Sequence, residues 1–372
     1  MTTFLSTDRF HRRGARTLPG EYFTSVEHFA IERERIFARQ WLCVGRSDEL
    51  REPGDFRQVE VAGERLILVR GRDHAIRALY NVCRHRGSRI CEERDGRFGG
   101  TIQCPYHAWT YGLDGRLLGA PHMKEAEDFD QADWSLHTAR TDSWQGFLFV
   151  TLADDAPPLS DVFTPMTPRV ERFALPALRP ARRIEYDVRA NWKLIVQNYS
   201  ECQHCPVIHP ALNRLTPWDT GANDLIEGPF LGGYMVLTRE GGSMTASGRS
   251  CGVPVAELPA EEMRRVYYYT AFPSLLLSLH PDYVMYHTLS PVAPDRTRIT
   301  CEWLFHPDTF ARSDCDPSDA VSFWDETNRQ DWHICELSQQ GVSSRKYSPG
   351  PYSPRESLLA MWDQEYLRRM QR

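Results

Sequence analysis

No stretch of this 372-residue chain approaches the run of about eighteen apolar residues that a membrane span requires. The longest apolar candidate, Ala271 to Leu279, is far too short. The segment Met1 to Arg16 is polar and lacks an apolar signal core, so export is not expected. Ten cysteines are too few for a disulfide-built scaffold and suit a reducing cytoplasm. A net charge of −6 argues against nucleic acid as the main partner. Internal repeats and low-complexity tracts are absent. So are a strand–Gly-x-Gly-x-x-Gly–helix dinucleotide fingerprint and a plant-type ferredoxin cysteine run. The nearest match, Arg97-Phe98-Gly99-Gly100, is too short.

What the chain does hold is two short cysteine–histidine pairs, Cys83-Arg84-His85 and Cys104-Pro105-Tyr106-His107. Two thiolates and two imidazoles at this spacing suit a Rieske 2Fe–2S cluster, sulfur on one iron and nitrogen on the other. Neutral imidazoles in place of charged thiolates raise the potential, so such a cluster passes electrons at moderate potential. The same ligand set also suits zinc, although the spacing differs from that of common zinc modules. Tyr106 is placed to offer its hydroxyl to a cluster sulfur, and Trp109 to pack against the loop.

With 41% hydrophobic and 25% charged residues, the chain has material for two ordinary domains. Val26 to Gln40 reads as an amphipathic helix running into a strand at Trp41. From Pro53 onward, short strands alternate with glycine turns: Phe56 to Val61, Arg65 to Val69 and Ala75 to Val82, with Trp144 to Leu152 as a closing strand. Ala153 to Pro168, rich in Asp, Pro and Ser, marks a boundary. Beyond it come a strand at Arg183 to Val188, a helix at Trp192 to Glu201, further strands up to Phe305, and a last helix from Ser318 to Gln339. The expected division is an N-terminal helical arm over 1–40, a small β-domain over 41–155 and an α+β domain with an antiparallel sheet over 156–372.

A second metal site is predicted in that last domain. His204 and His209 follow Gln197-Asn198-Tyr199-Ser200-Glu201. Two histidines and a carboxylate form the facial triad of non-haem iron oxygenases, leaving open positions where oxygen and substrate meet. Glu201, three residues before His204, shares its helix face and suits a carboxylate that orients the imidazole. The plainer reading is that both are ordinary structural histidines; a Rieske pattern in the same chain weighs against it. Asp331 is the leading carboxylate ligand, since a carboxylate among Trp324, Trp332 and Ile334 is costly unless paired or metal-bound. Asp325 is the alternative. Cys202 and Cys205 imitate a redox pair but lack a thioredoxin-like context, so they are expected to be packing residues.

These motifs resemble, over nearly the whole chain, the catalytic α subunit of Rieske-type non-haem iron oxygenases. The family pattern is Cys-x-His, Cys-x-x-His, Asp/Glu-x-x-His-x4-His and a distal Asp. Here 18 residues separate His85 from Cys104, a long hairpin, and Ala108 stands where the family often has Gly. The resemblance implies a Rieske domain followed by a helix-grip catalytic domain. Cys83, His85, Cys104 and His107 would hold the cluster, and His204, His209 and Asp331 the mononuclear Fe(II). Asn198 and Glu201 would be catalytic. It also implies a homotrimer, or a pair of trimers, in which Glu201 links the cluster of one subunit to the iron of the next. Glu at this position, with Asn198 to Cys205 and Tyr347 to Tyr352, resembles the branch acting on quaternary ammonium compounds: glycine betaine monooxygenase, carnitine oxygenase and stachydrine demethylase.

The implied activity uses O2 and electrons from NAD(P)H to hydroxylate a C–H bond, foremost an N-methyl group, with oxidative N-demethylation as the result. Without a dinucleotide motif of its own, the chain needs a separate flavin/iron–sulfur reductase. A quaternary ammonium substrate wants aromatic faces, for which Trp218, Phe230, Tyr234, Tyr267, Tyr268, Tyr269, Tyr283, Tyr286 and Trp324 are available. The competing readings are ring hydroxylation of an aromatic acid, a Rieske electron carrier without oxygenase activity, and a zinc-stapled binding protein.

Overall fold

A computed structural model describes residues 3–10 and 12–371, and in it the chain divides into two compact units. Phe37–Val162 forms one, and the chain on either side of it forms the other. The arm expected over 1–40 is therefore not a unit of its own. Glu32 shows why: it ends the helix Val26–Glu32 fully buried. Its carboxylate accepts from the Trp192 indole at 2.8 Å and the Tyr366 hydroxyl at 2.6 Å, and pairs with the Lys193 ammonium. A carboxylate at that depth persists only when paired and bonded on all sides, so it ties the arm to the C-terminal half. The helix expected to continue to Gln40 widens instead into a π-turn at Arg33–Phe37.

The first unit is all-β. In chain order its strands are β1 (Leu42–Arg46), β2 (Asp55–Val61), β3 (Glu64–Arg70), β4 (Ile76–Tyr80) and β5 (Asp95–Arg97). Then come β6 (Thr101–Gln103), β7 (Thr110–Gly112), β8 (Leu117–Gly119), β9 (Thr138–Trp144) and β10 (Phe147–Thr151). Among the described residues they pair in the orders β1-β10-β9-β4-β3-β2-β5 and β6-β7-β8. Leu66 to Val69 in β3 is buried on both faces, which is why it reads as a continuous apolar run. The closing strand expected at Trp144 to Leu152 starts only at Phe147, as β10, because Trp144 is the last residue of β9. Gln145 and Gly146, at φ +50° and +80°, make the two-residue turn between β9 and β10.

The second unit carries β11 (Arg179–Val188), β12 (Ala222–Leu225), β13 (Phe230–Val236), β14 (Arg265–Ala271), β15 (Leu275–Leu279), β16 (Val284–Ala293) and β17 (Arg296–Phe305). They form an antiparallel sheet in the order β11-β17-β16-β15-β14-β13-β12. The helices Trp192–Tyr199 and Pro317–Val342 pack on one another, the longer one also against β11. The fold class is α+β, as expected, with the helix-grip arrangement in the second unit. A C-terminal helix, Ser357–Met370, is a correction to the expected end of regular structure near Gln339. Its buried residues Leu358 to Trp362 are consecutive rather than spaced at three and four, so the helical period is faint in the sequence.

Candidate metal centres

The two cysteine–histidine loops share one frame. The Cys83 N–H donates to the Ser88 carbonyl at 2.8 Å, and the Gly87 N–H returns to the Cys83 carbonyl at 3.0 Å. In the second loop the Cys104 N–H donates to Trp109 at 2.8 Å and the Ala108 N–H returns to Cys104 at 3.1 Å. Histidine stands two residues after Cys83 but three after Cys104, and the two rings cross at 74° with centroids 4.7 Å apart. Trp109, buried, stacks on His85 at 4.9 Å and 5°, fixing that ring. Cys83 and Cys104 are buried free thiols. Burial raises the Cys83 pKa, so a thiolate at that depth needs a metal's charge beside it.

The contact to sulfur comes from Tyr111, not from Tyr106. The Tyr111 hydroxyl lies 3.3 Å from Cys83 Sγ and accepts the Arg84 N–H at 3.2 Å, which leaves its own proton for the sulfur. Tyr106 is 56% exposed; its ring lies 3.8 Å from the His107 ring, with the Arg86 guanidinium over it at 5.4 Å. Tyr111 sits on β7, out of the motif, so local spacing carries no sign of it.

The second centre is assembled from three elements. Asn191 starts the helix Trp192–Tyr199 by accepting the Lys193 N–H at 3.0 Å. The chain then turns through Glu201 into the short helix Cys205–Ile208, which places His204 and His209 at its two ends. Asp331 comes from the middle of Pro317–Val342. Its Oδ1 lies 2.7 Å from His209 Nε2 and 3.3 Å from His204 Nε2, and one donor atom from each of the three residues falls within 4.8 Å of the others. Asp325 is occupied elsewhere: it accepts from the Tyr186 hydroxyl at 2.7 Å and pairs with Arg329 at 3.1 Å.

Each imidazole is held from behind. Glu201 Oε1 lies 2.6 Å from His204 Nδ1, and its other oxygen accepts the Gln203 N–H. Gln330 Oε1 lies 2.7 Å from His209 Nδ1. Both rings thereby turn Nε2 toward Asp331, the tautomer a metal requires. Sequence reasoning missed Gln330; its one signal is that it precedes the candidate ligand Asp331. Burial alone lowers the His204 pKa, yet bonds to Asp331 and Glu201 overcome this and push it up to about 10. Asp331, though buried, is pulled down by the two histidines. The pocket is thus built to stabilise positive charge between these residues. Cys202 and Cys205, expected to be packing thiols, are joined as a disulfide across His204, with Cα atoms 5.0 Å apart. One tight turn brings them together.

A cavity of about 140 Å³ opens onto the triad. Of the proposed aromatics, Trp218, Tyr234, Tyr268 and Trp324 line it, joined by Tyr199. Phe230, Tyr267, Tyr269, Tyr283 and Tyr286 are buried core residues away from its wall. Asn198 also lines it, and its amide makes no hydrogen bond to a described residue. Gly232 and Gly233 belong to the wall as well; a Cβ on either would stand 2.0 Å from a neighbouring strand's carbonyl oxygen.

The donor sets fit their metals. Two buried thiols beside two imidazoles suit the cluster, and His85 Nδ1 is buried without a hydrogen-bond partner, as an iron ligand would be. Two Nε2 atoms converging with one carboxylate suit mononuclear iron. Residues 40–134 match the Rieske [2Fe-2S] domain and residues 175–372 the ring hydroxylating alpha subunit catalytic domain. A glycine betaine monooxygenase oxygenase subunit from Chromohalobacter salexigens is 32% identical over 92% of this chain and 83% of its own length. A carnitine monooxygenase oxygenase subunit from Acinetobacter baumannii is 38% identical over 52% of this chain and 53% of its own. The solved structure of the quaternary ammonium Rieske monooxygenase CntA with L-carnitine is 25% identical, with a TM-score of 0.80 over 100% of both chains. Naphthalene 1,2-dioxygenase from Rhodococcus sp., 20% identical with a TM-score of 0.77, shares the fold. Loop frame, triad and matches over both units agree: the chain belongs to the Rieske-type ring-hydroxylating oxygenases, as a catalytic α subunit.

Proposed function

We propose that this chain is an oxygenase that removes an N-methyl group from a quaternary ammonium compound of the betaine or carnitine type. The carrying observation is the cavity wall. A permanent cation neither loses a proton nor donates a hydrogen bond, so aromatic faces are its natural partners. Tyr199, Tyr268 and Trp324 supply them, while both carboxylates that line the cavity, Asp331 and Glu201, are engaged by the histidines. The complete His204, His209 and Asp331 set argues against a bare electron carrier.

Cys83, Cys104, His85 and His107 would hold the cluster, and His204, His209 and Asp331 the iron. When bound, these centres supply single electrons and the reduction of dioxygen that hydroxylates a C–H bond. The protein's own part is to hold the substrate's methyl group toward the triad and keep both imidazoles turned through Glu201 and Gln330. Asn198, its amide uncommitted, orients substrate or oxygen. Hydroxylation of an N-methyl carbon consumes O2, two electrons and two protons and releases water; the resulting carbinolamine breaks its C–N bond to give formaldehyde, a proton and the tertiary amine. Electrons come from NAD(P)H through a separate flavin and iron–sulfur reductase. In a homotrimer, Glu201 would pass them from His107 of the partner subunit to His204.

The test is incubation with reductase, NADH and O2 over a panel of betaines, carnitine and aromatic acids. Formaldehyde stoichiometric with NADH supports the proposal. Ring-hydroxylated product without formaldehyde replaces it.

A further inference from the structure

The cavity has an electrical direction. Among the described residues lining it, Arg355 is the one side chain with a permanent positive charge. It sits in the turn Pro354–Glu356 that opens the C-terminal helix. The strand of chain leading to it is pinned: the Tyr347 hydroxyl donates to the Leu18 carbonyl at 3.0 Å and the Tyr352 hydroxyl to Asp363 at 2.7 Å. Ser353 Oγ reaches Gln203 Oε1 at 2.7 Å, beside the turn that carries Glu201 and His204. The position of Arg355 is therefore set by the same framework that sets the triad.

Its guanidinium lies 5.3 Å from the centroid of Trp218, which orders the side chain, and makes no ion pair or hydrogen bond with a described residue. Asp8 senses its charge without coming within ion-pair distance. Two of the cavity's rings already carry a guanidinium, Trp218 under Arg355 and Tyr234 under Arg265 at 4.0 Å. Like charge repels a substrate cation from these two. The remaining rings, Tyr199, Tyr268 and Trp324, meet edge to face at 6.1 and 6.3 Å and carry no cation. Trp324 also shares a helix face with Thr327 and Asp331, at offsets of three and seven residues. Ammonium is thus favoured at the iron side and an anion at Arg355.

We propose that Arg355 receives the carboxylate of a zwitterionic substrate, so that the site selects betaines over quaternary amines without an acid group and turns their N-methyl groups toward the triad. The assignment rests on the demethylase reading above. A stacked guanidinium with its donors unspent matches a carboxylate in two-point geometry, and the bond is charge-assisted.

Glycine betaine and choline carry the same trimethylammonium head and differ in having a carboxylate or a hydroxymethyl group. Their kcat/KM values for formaldehyde release, and their Kd values under anaerobic conditions, are measured on wild type, Arg355→Leu and Arg355→Lys. The expected result is a roughly 10- to 100-fold loss for glycine betaine in Arg355→Leu, carried by KM and Kd, with choline unchanged or improved and partial recovery in Arg355→Lys. Retained choline turnover certifies that the variant is folded and loaded. An unchanged betaine-to-choline ratio, or equal loss for both, overturns the assignment of Arg355 alone. Formaldehyde from wild type with other betaines or carnitine but not with glycine betaine overturns this assignment alone, and formaldehyde from no quaternary ammonium compound of the panel overturns the demethylase reading and this one with it.

Discussion

Gly87 and Ala108 occupy equivalent places in the two cluster loops. Each closes its loop by donating its N–H to the loop cysteine's carbonyl, at 3.0 and 3.1 Å, and each has positive φ, +73° and +57°. Glycine takes that conformation freely, whereas a Cβ there costs about 1–2 kcal/mol. Ala108→Gly should therefore stabilise the first unit by up to about 1 kcal/mol, after subtracting the added freedom of glycine in the unfolded chain. Thermal melts of the loaded protein check this. A lower midpoint would mean that Ala108 fits its loop without strain.

Tyr111 rather than Tyr106 should govern the cluster's potential. A hydrogen bond to Cys83 Sγ favours the reduced, more negative state. Tyr111→Phe removes a bond worth about 1 kcal/mol, on the order of 40 mV for one electron, and should lower the midpoint potential by that amount. Tyr106→Phe should leave it unmoved. Spectroelectrochemical titration of both variants distinguishes the two tyrosines.

Gln330 and Glu201 each hold one histidine of the triad, yet their removal should read out differently. Gln330→Ala frees His209 and should weaken iron affinity roughly 10- to 100-fold while sparing the cluster's visible spectrum. Glu201→Ala, assayed at saturating iron, should keep both metals and still lose turnover by about 100-fold if Glu201 carries the bridging role proposed above. Stopped-flow mixing of the pre-reduced variant with oxygen reports the rate at which the cluster reoxidises. Wild-type reoxidation in Glu201→Ala would remove its bridging role.

Asp363 gives the fold a pH dependence. Burial pushes its carboxyl up to about 7 from 3.8, against hydrogen bonds from Tyr352 and Gln197 that oppose the rise. A folded-state pKa raised above the unfolded one stabilises through the bound proton. That contribution is complete below about 3.8, shrinks as the pH climbs, and is gone above about 7. Asp363→Asn stays neutral and should flatten stability between pH 5 and about 7. Urea melts across that range would show an unaltered slope if another group were responsible.

The candidate ligands Cys83 with His85, Cys104 with His107, and His204 with His209 were legible because the members of each pair lie within a few residues of one another, where spacing dictates geometry. The strands of both sheets were likewise readable from apolar runs between turn residues, though Gln145 and Gly146 hid a hairpin inside one of them. The helix Ser357–Met370 was not, because burial on most sides erases the amphipathic period.

By itself, then, the sequence pointed to two metal centres and the class of domain around each, since short-range spacing and ligand chemistry carry both. Only the tertiary structure set Asp331 rather than Asp325 beside the two histidines, gave the sulfur contact to Tyr111, and brought Gln330 and Arg355 into play. Those partners lie far apart along the chain or outside any motif, and their meeting depends on how helices and sheet pack, which no local pattern encodes.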